Sequence, residues 1–174
     1  AADTTLPGMT HGALLLSPRA HARIVRLDPS AALRLPGVIG VWWHANTPQN
    51  GYNSSIWYCG QDALADERMF PPVVRHVGDR MAVVLAETEA IARAALPRIA
   101  VDYEDLPAVL TAQAALDRTE PATDERSYRN PVDEVVFVHG DPDAAFARAD
   151  HVAEVAVTTP RSHHCAVEPH VCLA

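Results

Sequence analysis

The densest group of chemically versatile side chains lies near the end of the 174-residue chain, in the run His163-His164-Cys165…Glu168…His170…Cys172. Imidazole, thiolate and carboxylate together form a ligand set suited to Zn²⁺, with Cys as the soft donor. The spacing works against it: on an extended strand neighbouring side chains leave on opposite faces, so His163 and His164 would not converge. No metal is assigned to them. Glu168, between Val167 and Pro169, is expected to be partly buried. Buried carboxylates gather at functional sites, but structural hydrogen-bonding networks leave the same signature, and the structural role is preferred. Asp102 and Glu104 flank Tyr103 on one face of an alternating stretch. They have the chemistry of a paired general acid and base, yet a solvated edge face is the ordinary explanation, with Tyr103 packed beneath Leu106-Pro107. The aromatic run Ile56-Trp57-Tyr58-Cys59 suits a substrate funnel or a subunit contact, since Trp and Tyr bury much area at low entropic cost. Contact with another domain or subunit is preferred to local self-packing.

Other chemistries lack their motifs. The chain contains no G-x-G-x-x-G, no G-x-x-x-x-G-K-[ST] and no G-x-S-x-G, so neither a nucleotide fingerprint nor a nucleophile elbow is available. All 14 basic residues are Arg, against 22 acidic ones, for a net charge of −8. An acidic chain without an Arg cluster has no field to attract phosphate backbones, which argues against nucleic-acid binding. No run approaches the roughly 18 apolar residues of a membrane span, and Ala1-Ala2-Asp3 shows no signal peptide. Three cysteines without C-x-x-C spacing support neither a disulfide framework nor an iron–sulfur cluster held by this chain alone, and point to reduced cytosolic thiols.

The elements that must position these residues are short. Residues 12–16, 23–27 and 38–42 read as strands, rich in branched side chains and bounded by turn residues. Between the last two, Asp28 can cap a helix that begins at Pro29, and Pro36-Gly37 stops it. Asp141-Pro142 repeats that start for a helix over 143–149. Residues 73–77 and 81–86 read as a hairpin turning at Gly78-Asp79. A helix over 88–96 follows, with Glu89 and Arg93 as an i,i+4 pair. Residues 99–103 read as a strand, 111–116 as a helix and 152–157 as a strand. The result is an α+β module, not a series of βαβ crossovers. Residues 46–72 and 117–134 are long for loops inside one compact domain, which marks them as functional or packed on something else. Val171-Cys172-Leu173-Ala174 breaks off inside a second apolar run, so the chain is expected to be an N-terminal piece of a larger protein.

These strings have a familiar order. Leu6-Pro7-Gly8-Met9, then Ser17-Pro18-Arg19-Ala20-His21-Ala22-Arg23-Ile24, resembles the opening of the large, molybdopterin-binding subunit of xanthine dehydrogenases and aldehyde oxidases. Asp28…Ala32-Leu33…Leu35-Pro36-Gly37-Val38, Val77-Gly78-Asp79-Arg80-Met81-Ala82-Val83-Val84 and Val101-Asp102-Tyr103-Glu104-Asp105-Leu106-Pro107-Ala108 continue the likeness. Gly140-Asp141…Ala149-Asp150-His151-Val152 and His164…Glu168-Pro169 complete it. Arg80 stands where the family usually has Pro, and Pro97 interrupts the end of a helix.

The resemblance implies that residues 1–116 form the a/b hammerhead domain, 117–134 a connector and 135–174 the beginning of the first molybdenum-cofactor-binding domain. It implies an enzyme that hydroxylates purines, other N-heterocycles or aldehydes with water as oxygen source, using a molybdenum–pterin cofactor. Electrons would leave through [2Fe–2S] clusters, often to FAD, on partner chains. In the family the catalytic glutamate and the main pterin loops lie downstream of residue 174. No catalytic residue is therefore carried onto this chain, which alone should be inert, and no cofactor-binding residue is assignable. His164 and Glu168 stand as the candidates, and the family context places them in a strand pair near the domain core, satisfying each other or backbone groups. A small-molecule substrate, iron–sulfur and flavin partner subunits and a cytoplasmic location follow from the same resemblance. The rival reading is a free-standing, non-catalytic binding module on this fold.

Overall fold

The computed structural model describes residues 4–54, 65–117, 136–160, 162–168 and 170–174. The chain divides into two units, one of Pro7–Val132 and one of Ala1–Leu6 with Asp133–Ala174.

Among the described residues of the first unit, six strands form two antiparallel three-stranded sheets. The first sheet has β1 (His11–Leu16) and β3 (Val38–Trp43) on either side of β5 (Arg80–Ala86). The second has β4 (Val73–Val74) and β6 (Ala100–Asp105) on either side of β2 (Ala22–Asp28). Helices α1 (Ser30–Leu33) and α2 (Glu89–Ala95) pack on the first sheet, and α3 (Ala112–Leu116) follows β6. The α+β class holds.

Local chemistry accounts for the helix ends. Thr88 caps α2 by accepting from the Ile91 amide, and Thr111 caps α3 by accepting from Ala114. Pro97 cannot donate to a continuing helix, so α2 ends at Ala95 and a 3₁₀ turn over Leu96–Arg98 leads into β6. The start of α1 differs from expectation. Pro29 itself occupies the cap position, and Asp28 sits one residue outside, its Oδ1 accepting from the Ser30 amide at 2.9 Å.

The expected hairpin over 73–86 does not form. β4 pairs with β2 through Ala22↔Val74, whereas β5 pairs with β1 and β3. Gly78 does turn the chain at positive φ (+89°), but the turn sends it from one sheet to the other. The cause is long-range: Gly78 N donates to Ser17 O and Ser17 N to Asp79 O, both at 2.8 Å, so the corner is tied to the end of β1.

Two apolar clusters fill this unit. Ala32, Val41, Ala82, Val84, Ala95 and Ile99 lie between the first sheet and its helices. Ala22, Ile24, Val74 and Met81 join the second sheet to β5. Leu15, Leu27 and Val101 pack against both clusters, making one continuous core.

In the second unit, α4 (Pro142–Arg148) begins where the Asp-Pro pair predicts. Asp141 accepts from the Ala144 amide at 2.9 Å and Pro142 takes the first helical position. The strand expected over 152–157 and the strand pair expected around His164 and Glu168 are not present among the described residues of 136–174. A strand exists only through its ladder, and no strand among the described residues pairs with this stretch. Val152, Val155 and Val157 are exposed instead.

Candidate functional site

A buried carboxylate of the first unit sits at the corner between the sheets. Asp79, only 7% exposed, accepts through Oδ2 from the Arg75 amide at 3.0 Å and through Oδ1 from the Arg80 amide at 2.9 Å. A proline at position 80 would lack the second donor, which gives Arg80 a structural use. Ser17, 2% exposed, accepts from the Arg19 amide and donates to Arg19 O, closing the turn that leads to β2. His21 bonds through Nδ1 to Pro107 O, and the Leu106 amide donates to His21 O, which fixes the exit of β6. A hollow of about 180 Å³, walled by His21, His76, Val77 and Leu110 among others, opens beside it. No paired acid and base faces that hollow. The sequence reading did not single out Asp79, Ser17 or His21 for a role. The Ser17-Pro18 turn was a usable signal, and the two amides from which Asp79 accepts are only four and one positions away; what spacing does not reveal is the backbone tie of this corner to Ser17, about sixty residues earlier.

Asp102 and Glu104 do not form an acid–base pair. Each faces an arginine across the ladder: Arg23 Nε lies 3.3 Å from Glu104 and Arg26 Nη1 3.8 Å from Asp102. Arg19 reaches Asp105 at 3.7 Å. This is a solvated edge face laced with ion pairs. Tyr103 points the other way, onto the cluster of Ala22, Ile24, Val74 and Met81, and its hydroxyl donates to Met81 Sδ at 3.2 Å. Burial raises its pKa above 10.0, and Arg19, with its guanidinium 5.5 Å from the ring centroid, pulls in the opposite direction.

Three more groups are shifted. Hydrogen bonds from the Ser54 hydroxyl and amide lower the pKa of Glu67, with Arg80 adding to the effect. Asp28 is lowered by Ser30 and then by Arg26. His44, whose Nδ1 is buried without a hydrogen-bond partner among the described residues, is lowered by desolvation. The partners that shift Glu67 and Asp28 are hydroxyl, amide and guanidinium donors, with no histidine or second carboxylate among them.

In the second unit His163 and His164 do come together, with rings stacked at 4.7 Å between centroids. The Cys165 amide donates to His163 Nδ1 at 2.9 Å, and Cys165 itself adopts a left-handed φ of +51°. Glu168 is exposed, contrary to the expected partial burial, because the strand pair that would enclose it is not formed. His164 and Glu168 are both on the surface, as are the free thiols of Cys165 and Cys172. Among the described residues no group of three or more His, Cys, Asp or Glu could hold a metal ion. The aromatic run at residues 56–59 lies outside the described residues. No helix among them is long and apolar enough to cross a membrane.

Comparison with known proteins supplies what the side chains alone do not. The family described as aldehyde oxidase and xanthine dehydrogenase, a/b hammerhead domain, matches residues 1–107, and the molybdopterin cofactor-binding domain family matches residues 125–174. The chain belongs to the xanthine dehydrogenase and aldehyde oxidase family. The hammerhead assignment of its fold is thereby established. Among curated members, the nicotinate dehydrogenase large molybdopterin subunit of Eubacterium barkeri is 35% identical over 97% of this chain and 38% of its own length. "Probable hypoxanthine oxidase XdhD" of Escherichia coli O157:H7 is 32% identical over 91% of this chain and 20% of its own. The aldehyde oxidoreductase of Desulfovibrio gigas superposes with a TM-score of 0.70 at 28% identity, over 84% of this chain and 16% of that one. The chain thus spans between 20% and 38% of these curated relatives.

Family membership implies a molybdenum–pterin cofactor. His164 and Glu168 do not form a site for it here: both are exposed, and the unit from Asp133 onward has only one described residue, Ala144, that is even half-buried. A cofactor held out of water needs an enclosed set of donors, and these residues do not supply one.

Proposed function

We propose that this chain is the N-terminal part of the molybdenum-binding subunit of a hydroxylase acting on purines, other N-heterocycles or aldehydes with water as the oxygen source. Residues 1–116 act as the hammerhead scaffold, 117–134 as connector and 135–174 as the start of the first cofactor-binding domain. The observation that carries this reading is the succession of a hammerhead match and a molybdopterin-domain match along one chain. The hammerhead's polar groups support a scaffold role: Asp79, Ser17 and His21 are all spent on backbone amides and carbonyls. The catalytic groups and the pterin-binding groups are supplied by other parts of the subunit, and His164 and Glu168 serve structure. The molybdenum–pterin group would supply the oxidation of a carbon beside nitrogen or oxygen. Partner subunits carry [2Fe–2S] clusters and, as in many assemblies of this kind, FAD, and the assembly is cytoplasmic.

The test is elemental analysis for Mo, Fe and Zn on the native assembly. Molybdenum and iron in fixed ratio are expected. Absence of both would overturn the hydroxylase reading and leave a non-catalytic binding module, and zinc alone would move attention to residues 163–172.

A further inference from the structure

The two sheets of the hammerhead present opposite kinds of outer face. On the second sheet, Arg23 and Arg26 meet Glu104 and Asp102 across the ladder, a surface suited to water. On the first sheet the central rows are apolar, with Leu16 opposite Arg80 beyond them. Leu14, Val83 and Trp42 lie in one row across β1, β5 and β3, and Gly12, Leu85 and Gly40 in the next. Leu14 and Leu16 are 47% and 49% exposed, although their neighbour Leu15 packs against the core. The rows are closely fitted. A Cβ at Gly40 would lie 2.6 Å from Trp42 Cη2, so the indole lies down along its own strand over the glycine. A Cβ at Gly12 would meet Leu85 Cδ2 at 3.2 Å.

The strand sequences differ in the same sense. β2 and β6 alternate apolar with charged residues, ARIVRLD and AVDYED, as half-solvated strands do. β1, β3 and β5 read HGALLL, VIGVWW and RMAVVLA, near-continuous apolar runs of the kind found in strands covered on both faces. Helices α1 and α2 and the core cover one face of this sheet.

Building on the hydroxylase-subunit reading, we propose that the outer face of the β1-β5-β3 sheet, centred on Leu14, Val83 and Trp42, is an intra-subunit docking surface. Its occupant is an uncharged, apolar face of the same molybdenum-binding polypeptide, from the part that relatives carry beyond the stretch matched here. Two arguments select that occupant. The matched stretch is 20% to 38% of the curated relatives, so in them most of the polypeptide is available as cover. The central rows also contain no charged residue, and so offer no complementarity to a separately folded, transient partner, whose interfaces are more polar than permanent ones.

Hydroxyl-radical footprinting of the natural, full-length protein tests this without any variant. After correction for intrinsic reactivity, Leu14, Leu16 and Trp42 are expected to oxidise at least about tenfold more slowly than Val25 and Leu33, which are 64% and 47% exposed. Rates within about twofold of Val25 would overturn the proposal. Protection that disappears on dilution, in step with dissociation of a dimer, would overturn the occupant in favour of a second copy. Molybdenum content is read on the same sample. Protection without molybdenum would refute the hydroxylase reading and leave the docking face standing; molybdenum without protection would do the reverse.

Discussion

Replacing Asp79 by Ala removes the carboxylate that holds the end of β4 to the start of β5. Two bonds vanish, from the Arg75 amide at 3.0 Å and the Arg80 amide at 2.9 Å. Hydrogen bonds to a charged group contribute about 1.5–3 kcal/mol each, and a buried donor left unmade adds its desolvation cost. Arg75 and Arg80 are only half-buried, so water recovers part of the loss. A net cost of about 3 kcal/mol results, equivalent to a fall in Tm of roughly 10 °C for a domain of this size. Asp79→Asn keeps one acceptor but turns an amide N–H₂ toward the second donor, so it should cost at least half as much. Urea unfolding followed by tryptophan fluorescence reads both variants, since Trp42 and Trp43 sit on β3, which pairs directly with β5. A change below about 0.5 kcal/mol for Asp79→Ala, the range of ordinary surface substitutions, would refute the reasoning. It would mean that the corner is held by the Ser17 and Gly78 backbone bonds alone.

Met81→Ala, at a side chain 1% exposed in the second core cluster, should cost about 2–5 kcal/mol in the same assay. Gly40→Ala, which would set a Cβ 2.6 Å from the Trp42 ring, should cost about 1–3 kcal/mol and shift the tryptophan emission as the indole is displaced. Arg23→Ala breaks an ion pair whose partners are 48% and 59% exposed, so its effect should stay within about 0.5 kcal/mol and vanish in salt. His44 is held below its ordinary 6.5 by burial, so the unfolded chain takes up the proton first as pH falls. Its contribution is complete above pH 6.5 and is lost as the pH falls below that value; His44→Gln should flatten the decline of Tm between about pH 7.5 and 5.5.

What was legible in the sequence was whatever is decided within a few residues. Asp141 acts on the amide three positions on, and α4 starts where the Asp-Pro pair predicts; α2 and α3 begin one residue inside the expected 88 and 111, behind the caps Thr88 and Thr111. Strand positions in the first unit were likewise readable from apolar runs, whereas the run over 152–157 forms no strand among the described residues. Sheet membership was not. Val73 and Val74 look like the first arm of a hairpin with β5, but the choice was made by Ala22 and Arg23, some fifty residues earlier, and by the ties between Ser17 and the Gly78-Asp79 corner. Pairing of that kind depends on loop closure and core fit, which no local window contains. The ion pairs of Asp102 and Glu104 were half legible: alternation gave their outward face, and only the register gave their arginines.

The residues 163–172 show how a correct physical rule can be applied to the wrong local geometry. Strand alternation, which would send His163 and His164 to opposite faces, speaks against a shared metal. The two rings instead stack, because the backbone is not a strand there and Cys165 bends it at φ +51°. With alternation gone, that objection to shared ligation goes with it, and a different one takes its place. A neutral imidazole binds a metal through a lone pair, and the Cys165 amide occupies the one on His163 Nδ1. With Nδ1 accepting, the proton of the neutral ring sits on Nε2, so a metal could bind His163 through either nitrogen only by breaking that bond. The decisive feature is therefore one amide hydrogen bond at a left-handed residue, and Cys165, a type that rarely adopts that conformation, gives no hint of it in sequence.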